Sequence, residues 1–342
     1  MKRIAAVVLL LVLAAAAYAA WTLTRPYAAF SEPILVDIPT GTSTRAMASI
    51  LAGKGVLRDP ATFLLLRALR PTAKLQAGEY EFKAAASPME IYSRLARGDV
   101  HFYEFTVPEG SNLFDTAQIL SQLGFFTAEQ FVAAARDPAL IRDLAPQATS
   151  LEGYLFPSTY HVTRGTTALQ ICRRMTGEFR KAWKRIGSAA PVHEVVTLAS
   201  LIEKETGVAE ERPIVSSVYR NRLARGIKLE CDPTTIYAAI LENRYRGKIY
   251  RSDLDSTHPY NTYQHPGLPP GPIANPGEAS LRAAVHPAES DYLFFVARPD
   301  GSGGHNFSVT LSDHNRAVTE YRRGEQKKTN QTQSARRPAR RG

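Results

Sequence analysis

Cysteine is scarce: Cys172 and Cys231 are the two in a chain of 342 residues. At most one bridge can form, which excludes a disulfide-stapled scaffold and a cysteine-only zinc ribbon. No H-E-x-x-H spacing accompanies the histidines, although five of the eight (His258, His265, His286, His305 and His314) crowd the C-terminal part, so no metal site is expected. Neither a G-x-G-x-x-G nor a Walker motif occurs, which removes the usual nucleotide readings, and no cofactor is expected. Ser200 lacks the G-x-S-x-G setting of a hydrolase elbow. Acids are nearly missing from residues 321–342, where eight Lys or Arg face Glu325 alone, while the rest of the chain holds 34 basic and 31 acidic residues. The net charge of +10 therefore belongs to a tail and not to a basic face, which argues against nucleic acid as a partner. That tail, 322–342, is polar, contains a proline and has no apolar period. It is expected to be a disordered arm, solvated or resting on anionic lipid or wall polymer.

What is present is enough apolar material for real cores, 44% of the chain, in a length that suits two domains. Ile4 to Thr24 carries no charge and follows Lys2 and Arg3. At about 1.5 Å per residue such a run spans a hydrocarbon core. Ala17-Tyr18-Ala19 would suit a signal peptidase, but the apolar run is longer than a cleavable signal needs, and an uncleaved anchor over 1–25 is the reading favoured. The basic residues before the span keep the N-terminus cytoplasmic and put everything after it outside the cytoplasm.

The first half contains a repeat at an offset of 69. Pro39, Gly41, Thr42, Ala48, Ile50, Leu51 and Gly55 correspond to Pro108, Gly110, Ser111, Ala117, Ile119, Leu120 and Gly124. Each copy, near 36–57 and 105–126, reads as a β-branched strand, a Pro-x-Gly turn, a Ser/Thr helix start, an amphipathic helix and a glycine stop. Two similar α+β modules are expected within 26–150, with a further strand over Gly78 to Phe82 and a helix over Pro88 to Ala96 between them. The strand, P-x-G-[ST] and helix pattern resembles the start of a LysM module, a small fold that binds glycans containing N-acetylglucosamine. An α+β spacer is the plainer alternative.

From Leu151 the texture changes, and 151–321 reads as a second, mixed α/β domain. Pro191 to Gly207 has the proline start, apolar middle and glycine stop of a helix. On its wheel Glu205 falls within the apolar arc of Val195, Leu198 and Ile202, while Glu203 lies about 160° away. The two carboxyls cannot serve one cleft, so a two-carboxylate glycosidase built from this pair is disfavoured. A lone glutamate on a buried arc in the last turn loses hydration and faces the negative helix end, both of which hold its proton on. That is the condition required of a general acid; a pairing with Arg212 or Arg222 is the structural alternative. A second helix is expected over Glu211 to Arg225, with Asn221 and Arg222 packing and capping. Beyond it the segment from His258 to Gly277 is too rich in Pro and Gly for regular structure, and Tyr260, Asn261, Thr262 and Tyr263 give it aromatic faces and polar groups suited to a sugar.

The blocks EGYLFPSTY (152–160), LASLIEKETGVAEERPIVSSVYRNRL (198–223), LECDPTTIY (229–237), PYNTY (259–263), GLPPGPIANPG (267–277), AAVHPA (283–288), LFFVA (293–297) and GGHNFSVTLSDHNRAV (303–318) together resemble the endolytic murein transglycosylases, the MltG or YceG-like family. The resemblance implies an α+β protein with an N-terminal transmembrane helix in the inner (plasma) membrane, LysM-like modules, and a lytic transglycosylase domain in the periplasm or outside the cell. It implies a non-hydrolytic lyase that cleaves the bond between N-acetylmuramic acid and N-acetylglucosamine inside nascent glycan strands, leaves 1,6-anhydro ends and so terminates elongation. The family's catalytic E-[ST] pair maps to Glu205-Thr206. By position Tyr260, Asn261, Thr262 and Tyr263 would line the glycan cleft, with Asp232 and Glu152 as further substrate-binding candidates. Implied partners are peptidoglycan strands, membrane lipid through the anchor, and peptidoglycan synthases. Cys231 stands where the family pattern has Thr, and the basic tail is not a family motif. A non-catalytic wall-binding scaffold is the alternative from another class; a pyridoxal-phosphate lyase is disfavoured by the exported position of the chain.

Overall fold

The computed structural model describes residues 1–335. They form two compact units, one of 1–104 with 161–166, the other of 105–160 with the chain from 167 onward. The sequence set both repeat copies in one region ending at 150, whereas this division passes between Glu104 and Phe105 and groups the second copy with the residues that follow it.

In the first unit α1 (Lys2–Thr24) carries no charge from Ile4 onward, and Leu23 is its one buried residue. Strand β1 (Ile34–Ile38) leads through helices α2 (Thr44–Gly53) and α3 (Pro60–Leu69) to β2 (Gly78–Phe82). The strands pair antiparallel, from Ile34 opposite Phe82 to Ile38 opposite Gly78. Alternation decides which side is covered: Val36 and Ile38 are buried and Leu35 is exposed. Helix α4 (Pro88–Arg97) begins with a capping box between Ser87 and Glu90 and ends on Gly98 at φ 73°. Leu51, Phe63, Tyr80, Ile91, Tyr92 and Leu95 meet in this unit's core.

The second copy repeats the order strand, helix, helix, strand with β3 (Tyr103–Val107), α5 (Leu113–Ser121), α6 (Ala128–Ala135) and β4 (Ser158–Val162), and β3 pairs with β4. The helix caps lie one residue later than the Ser/Thr starts read from the sequence. Ser43 caps α2 and Asn112 caps α5, because the Thr42 hydroxyl turns back to the Pro39 carbonyl instead.

The remainder of the second unit is helical around α8. Helices α7 (Ala168–Ile186), α8 (Val192–Glu205), α9 (Arg212–Ala224), α10 (Asp232–Leu241), α11 (Arg251–Leu254) and α12 (Glu278–Val285) precede the antiparallel hairpin β5 (Phe294–Ala297) and β6 (His305–Ser308). Helix α8 packs against α9, α10 and α12, so every residue from Val195 to Ile202 is buried and the single apolar arc of the wheel is only its most apolar side. Helix α13 (Leu311–Ala335) carries on through 322–335, where the sequence suggested an irregular arm. This stretch is rich in Arg, Gln and Lys, good helix formers, and its proline comes only at Pro338; the rest of the expected arm lies outside the described residues.

Candidate active site around Glu205

Glu205 ends α8, with Thr206 as the extended residue after it. Its neighbours come from three other elements. Tyr219, on the inner side of α9 and 1% exposed, donates its hydroxyl to Glu205 Oε1 at 2.9 Å. The buried thiol of Cys231, at the N-cap of α10, is close enough to favour the ionised form of the same carboxyl, Asp232 adds a nearby negative charge, and His305 of β6 a nearby positive influence. Burial is the strongest influence on the Glu205 carboxyl and pushes its pKa up. The Cys231 and Tyr219 donors and His305 pull it down, Asp232 pushes it up, and the balance lies above the ordinary carboxylate range.

Neither Arg212 nor Arg222 takes the role that the sequence alternative gave it. Arg212 pairs with Glu203 at 3.5 Å, and Arg222 pairs with Glu230. Glu203 also accepts the Gly277 backbone N–H at 2.9 Å, so the two glutamates of α8 turn to different surroundings, as their angular separation requires.

The residues that build this site share one feature: backbone held by buried polar side chains. Arg222 donates Nε to the Leu293 carbonyl at 2.6 Å and Nη1 to the carbonyls of Lys228 and Leu229 at 3.0 Å each. It thereby fixes the approach to Cys231, a segment in which Glu230 takes the left-handed φ of 51°. Asn221 holds the other approach, donating to the carbonyls of Ser290 and Tyr292. Below Thr206, Glu211 accepts the His305 backbone N–H at 2.8 Å and sits 2.7 Å from its ring Nδ1. Burial works to raise the Glu211 carboxyl, but His305 and Arg298 outweigh it and hold it below its usual range.

The sequence candidates in the Tyr260 loop separate into two kinds. Asn261 and Thr262 are 0% and 1% exposed and are spent on the loop itself. The Asn261 amide donates to the carbonyls of Asp253, Leu254 and Ser256 and its oxygen accepts from Thr235 and from the Tyr263 N–H. Thr262 Oγ1 accepts the Cys231 N–H at 3.0 Å and meets Thr234 Oγ1 at 2.9 Å. Neither offers a free group to a sugar, because a loop without helix or sheet ladders must satisfy its buried backbone through such side chains. Tyr263 is half-buried and donates its hydroxyl to the exposed Asp232 at 2.7 Å, which places this pair beside Glu205. Tyr260 turns instead toward Tyr237 and His258, with ring centroids at 5.1 and 5.8 Å.

Glu152 is held by other partners than those around Glu205. It is 2% exposed, accepts the Leu113 N–H of α5 at 3.1 and 2.9 Å on its two oxygens and the Tyr237 hydroxyl at 2.9 Å. Burial raises its pKa to about 7 against these donors. Its position is that of a helix N-terminal anchor. Cys172 and Cys231 are both buried, free thiols. No group of His, Cys, Asp and Glu among the described residues is arranged to hold a metal ion.

Sequence reasoning did not reach Tyr219, Glu211 or His305 as site residues. Tyr219 has a signal in hindsight: it lies fourteen residues after Glu205, on the second helix of a pair, where an inward-facing hydroxyl needs a partner. Glu211 and His305 are 94 residues apart and no local pattern joins them.

A profile described as the YceG-like family matches residues 36–320. An endolytic murein transglycosylase of Bacillus subtilis (strain 168) is 33% identical over 307 residues, covering 84% of each chain. That of Streptococcus pneumoniae (strain D39) is 28% identical over 321 residues, 84% of this chain and 58% of the relative. The crystal structure of a yceG-like protein of Listeria monocytogenes, 32% identical, superposes with a TM-score of 0.53 over 84% of this chain and 99% of its own. The matched span takes in the strand–helix repeat and the whole surround of Glu205, and the chain belongs to the YceG-like family.

Proposed function

We propose that the protein is a membrane-anchored lytic transglycosylase that cuts murein glycan strands internally, with Glu205 as the group that gives and then takes back a proton. One observation carries this reading: a carboxyl at a helix end, raised by burial and held by neutral hydrogen-bond donors in place of Arg212 or Arg222. Burial moves such a carboxyl toward the protonated form that a general acid needs. The names borne by the relatives from Bacillus and Streptococcus supply the substrate class.

In the proposed reaction Glu205 protonates the oxygen between N-acetylmuramic acid and N-acetylglucosamine, the C1–O bond breaks, and the N-acetyl group assists departure. The resulting carboxylate accepts the proton of the muramyl C6 hydroxyl as O6 closes on C1, which gives the 1,6-anhydro ring and restores the acid. No water is activated, so one carboxylate suffices, in contrast to an inverting hydrolase. The exposed Asp232 and the Tyr263 hydroxyl beside it are the groups best sited to meet the sugar, while Asn261 and Thr262 shape the loop that carries them. The strand–helix repeats would serve as LysM-like holders of the strand. Helix α1 would keep the enzyme in the plasma membrane, where peptidoglycan synthases deliver nascent strands.

The test is mass spectrometry of uncrosslinked glycan strands incubated with the full chain in detergent, wild type beside Glu205→Gln. Internal fragments ending in 1,6-anhydromuramic acid are expected from the wild type, with a rate loss of about 100-fold or more in the variant. Reducing ends without the anhydro ring would overturn the lytic chemistry, and strand binding without cleavage by either protein would favour a wall-binding scaffold.

A further inference from the structure

Two side chains that no part of the reaction touches directly both bear on the carboxyl of Glu205. Tyr219 reaches it from α9 with a hydroxyl 2.9 Å from Oε1, and Cys231, in the turn before α10, places its buried thiol where it acts on the Glu205 carboxyl and on Tyr219. Both residues are 1% exposed, so the two donors are shielded from water while the carboxyl they serve keeps some exposure. The geometry points to Tyr219 and Cys231 as a pair of positioning residues that hold the Glu205 carboxyl in one orientation and set the pH at which it gives up its proton. This inference rests on Glu205 being the general acid.

The physical argument runs through what each donor can do. A neutral O–H or S–H aimed at a carboxyl oxygen favours the ionised form, since the hydrogen bond to a charged acceptor is the stronger one. Burial drives the other way. An acid that must protonate a leaving oxygen and then accept a proton from a hydroxyl needs both forms within reach, and burial alone would hold the proton too tightly for the first step. The donors therefore correct an excess of burial. Burial also pushes both donors' own pKa values up, so the hydroxyl and thiol keep their protons and remain donors across the working pH range. The same burial keeps Cys231 from acting as a nucleophile, because the thiolate is the reactive form.

Other groups facing Glu205 are named by the same surroundings: Asp232 at the start of α10, which opposes its ionisation, and His305 of β6, which favours it. Both lie toward its charge and not on its oxygens. Arg222 orders the backbone leading to Cys231, and the Thr262 hydroxyl receives the Cys231 N–H. The thiol is thus fixed by its backbone, and a substitution of its side chain tests its action on the carboxyl with little disturbance of the turn.

The experiment is the pH dependence of kcat/KM for glycan cleavage by the full chain in detergent, for wild type, Tyr219→Phe, Cys231→Ser and Cys231→Ala, with thermal unfolding of each. Tyr219→Phe removes one oxygen and is expected to move the alkaline limb up by about one pH unit and to lower kcat roughly tenfold. At position 231 the two replacements are expected to move the limb in opposite directions: Ala, which donates nothing, upward, and Ser, a stronger donor than a thiol, downward. A purely structural role would change stability or kcat without this opposition. Alkaline limbs that coincide with wild type in all folded variants, or that shift the same way for Ser and Ala, would overturn the inference. Should one variant not fold, the remaining two still decide it. Failure of the wild type to cleave, or full activity of Glu205→Gln, would instead remove the proposed function on which the inference stands.

Discussion

Burial raises the carboxyls of Glu109, Glu152 and Glu205 in the second unit, and at the residue scale the contrast between the last two is instructive. Glu205 keeps some exposure and meets side-chain donors from α9 and α10, whereas Glu152 is sealed and meets a backbone N–H of α5 and the Tyr237 hydroxyl. The sealed one has a thermodynamic signature. Its pKa in the fold, about 7, is above that of an unfolded glutamate, so the native state binds the extra proton. Its contribution to stability is present in full below the unfolded value and is lost as pH rises through about 7. The loss amounts to about 3 kcal/mol at the upper bound that burial allows. Glu152→Gln cannot ionise and should flatten the decline in unfolding free energy between about pH 4.5 and 7.5, measured by denaturant titration across that range. An unchanged slope in the variant would mean that Glu152 is ionised in the native protein at all these pH values.

At the scale of elements, the surround of α8 depends on segments that have no regular structure. Gly153 follows Glu152 at φ +85°, and a Cβ there would come within 2.5 Å of Pro272 and 2.8 Å of Val196 of α8. Asn275, with no exposed surface, accepts the Leu155 N–H and donates to the Ser111 carbonyl, joining three loops at one amide. Gly153→Ala combines a left-handed backbone with two clashes and should cost about 2 kcal/mol or more. A loss in unfolding free energy below about 0.5 kcal/mol would show that the loops yield independently of α8. These positions explain what the sequence made visible. The apolar period gave α8, the proline and glycine punctuation gave its ends, and the wheel separated Glu203 from Glu205, because each is a local property of a helix. The repeat offset located β1 with α2 and β3 with α5 for the same reason. The inward use of Asn261 and Thr262 was not legible, since polar residues in a Pro- and Gly-rich loop look alike whether they face a ligand or their own backbone. Glu152, a glycan-binding candidate by its position in the family resemblance, is bonded to the N-terminus of α5, a partner that no local pattern announces. The pairing of Glu211 with His305 depends on β6 returning to the end of α8, which is a matter of topology and not of any short motif.

At the scale of the whole molecule, α1 is the one helix among the described residues long and apolar enough to cross a membrane. Its apolar side chains are exposed on every side, from Ile4 at 72% to Leu13 at 56%, and a helix apolar all round is stable in lipid and not in water. Twenty-three residues give about 35 Å at 1.5 Å per residue, enough to cross a bilayer core. The far end is built for an interface: Tyr18 and Trp21 lie with ring centroids 6.0 Å apart, and Arg25 sits over the Trp21 ring at 4.8 Å, the arrangement of an aromatic belt with a cation at headgroup level. Leu23 is buried in the core of the first unit, so the end of α1 takes part in that unit's packing. A signal peptidase cutting after Ala19 would sever the span from this contact. The full chain expressed in a bacterial host should therefore sediment with membranes and resist extraction at alkaline pH, with an intact N-terminus by mass, while residues 26–342 alone should be recovered in the soluble fraction. A mature protein beginning at Ala20 and released by alkaline washing would replace the anchor by a cleaved secretion signal, and would place the glycan-cutting domain free of the membrane.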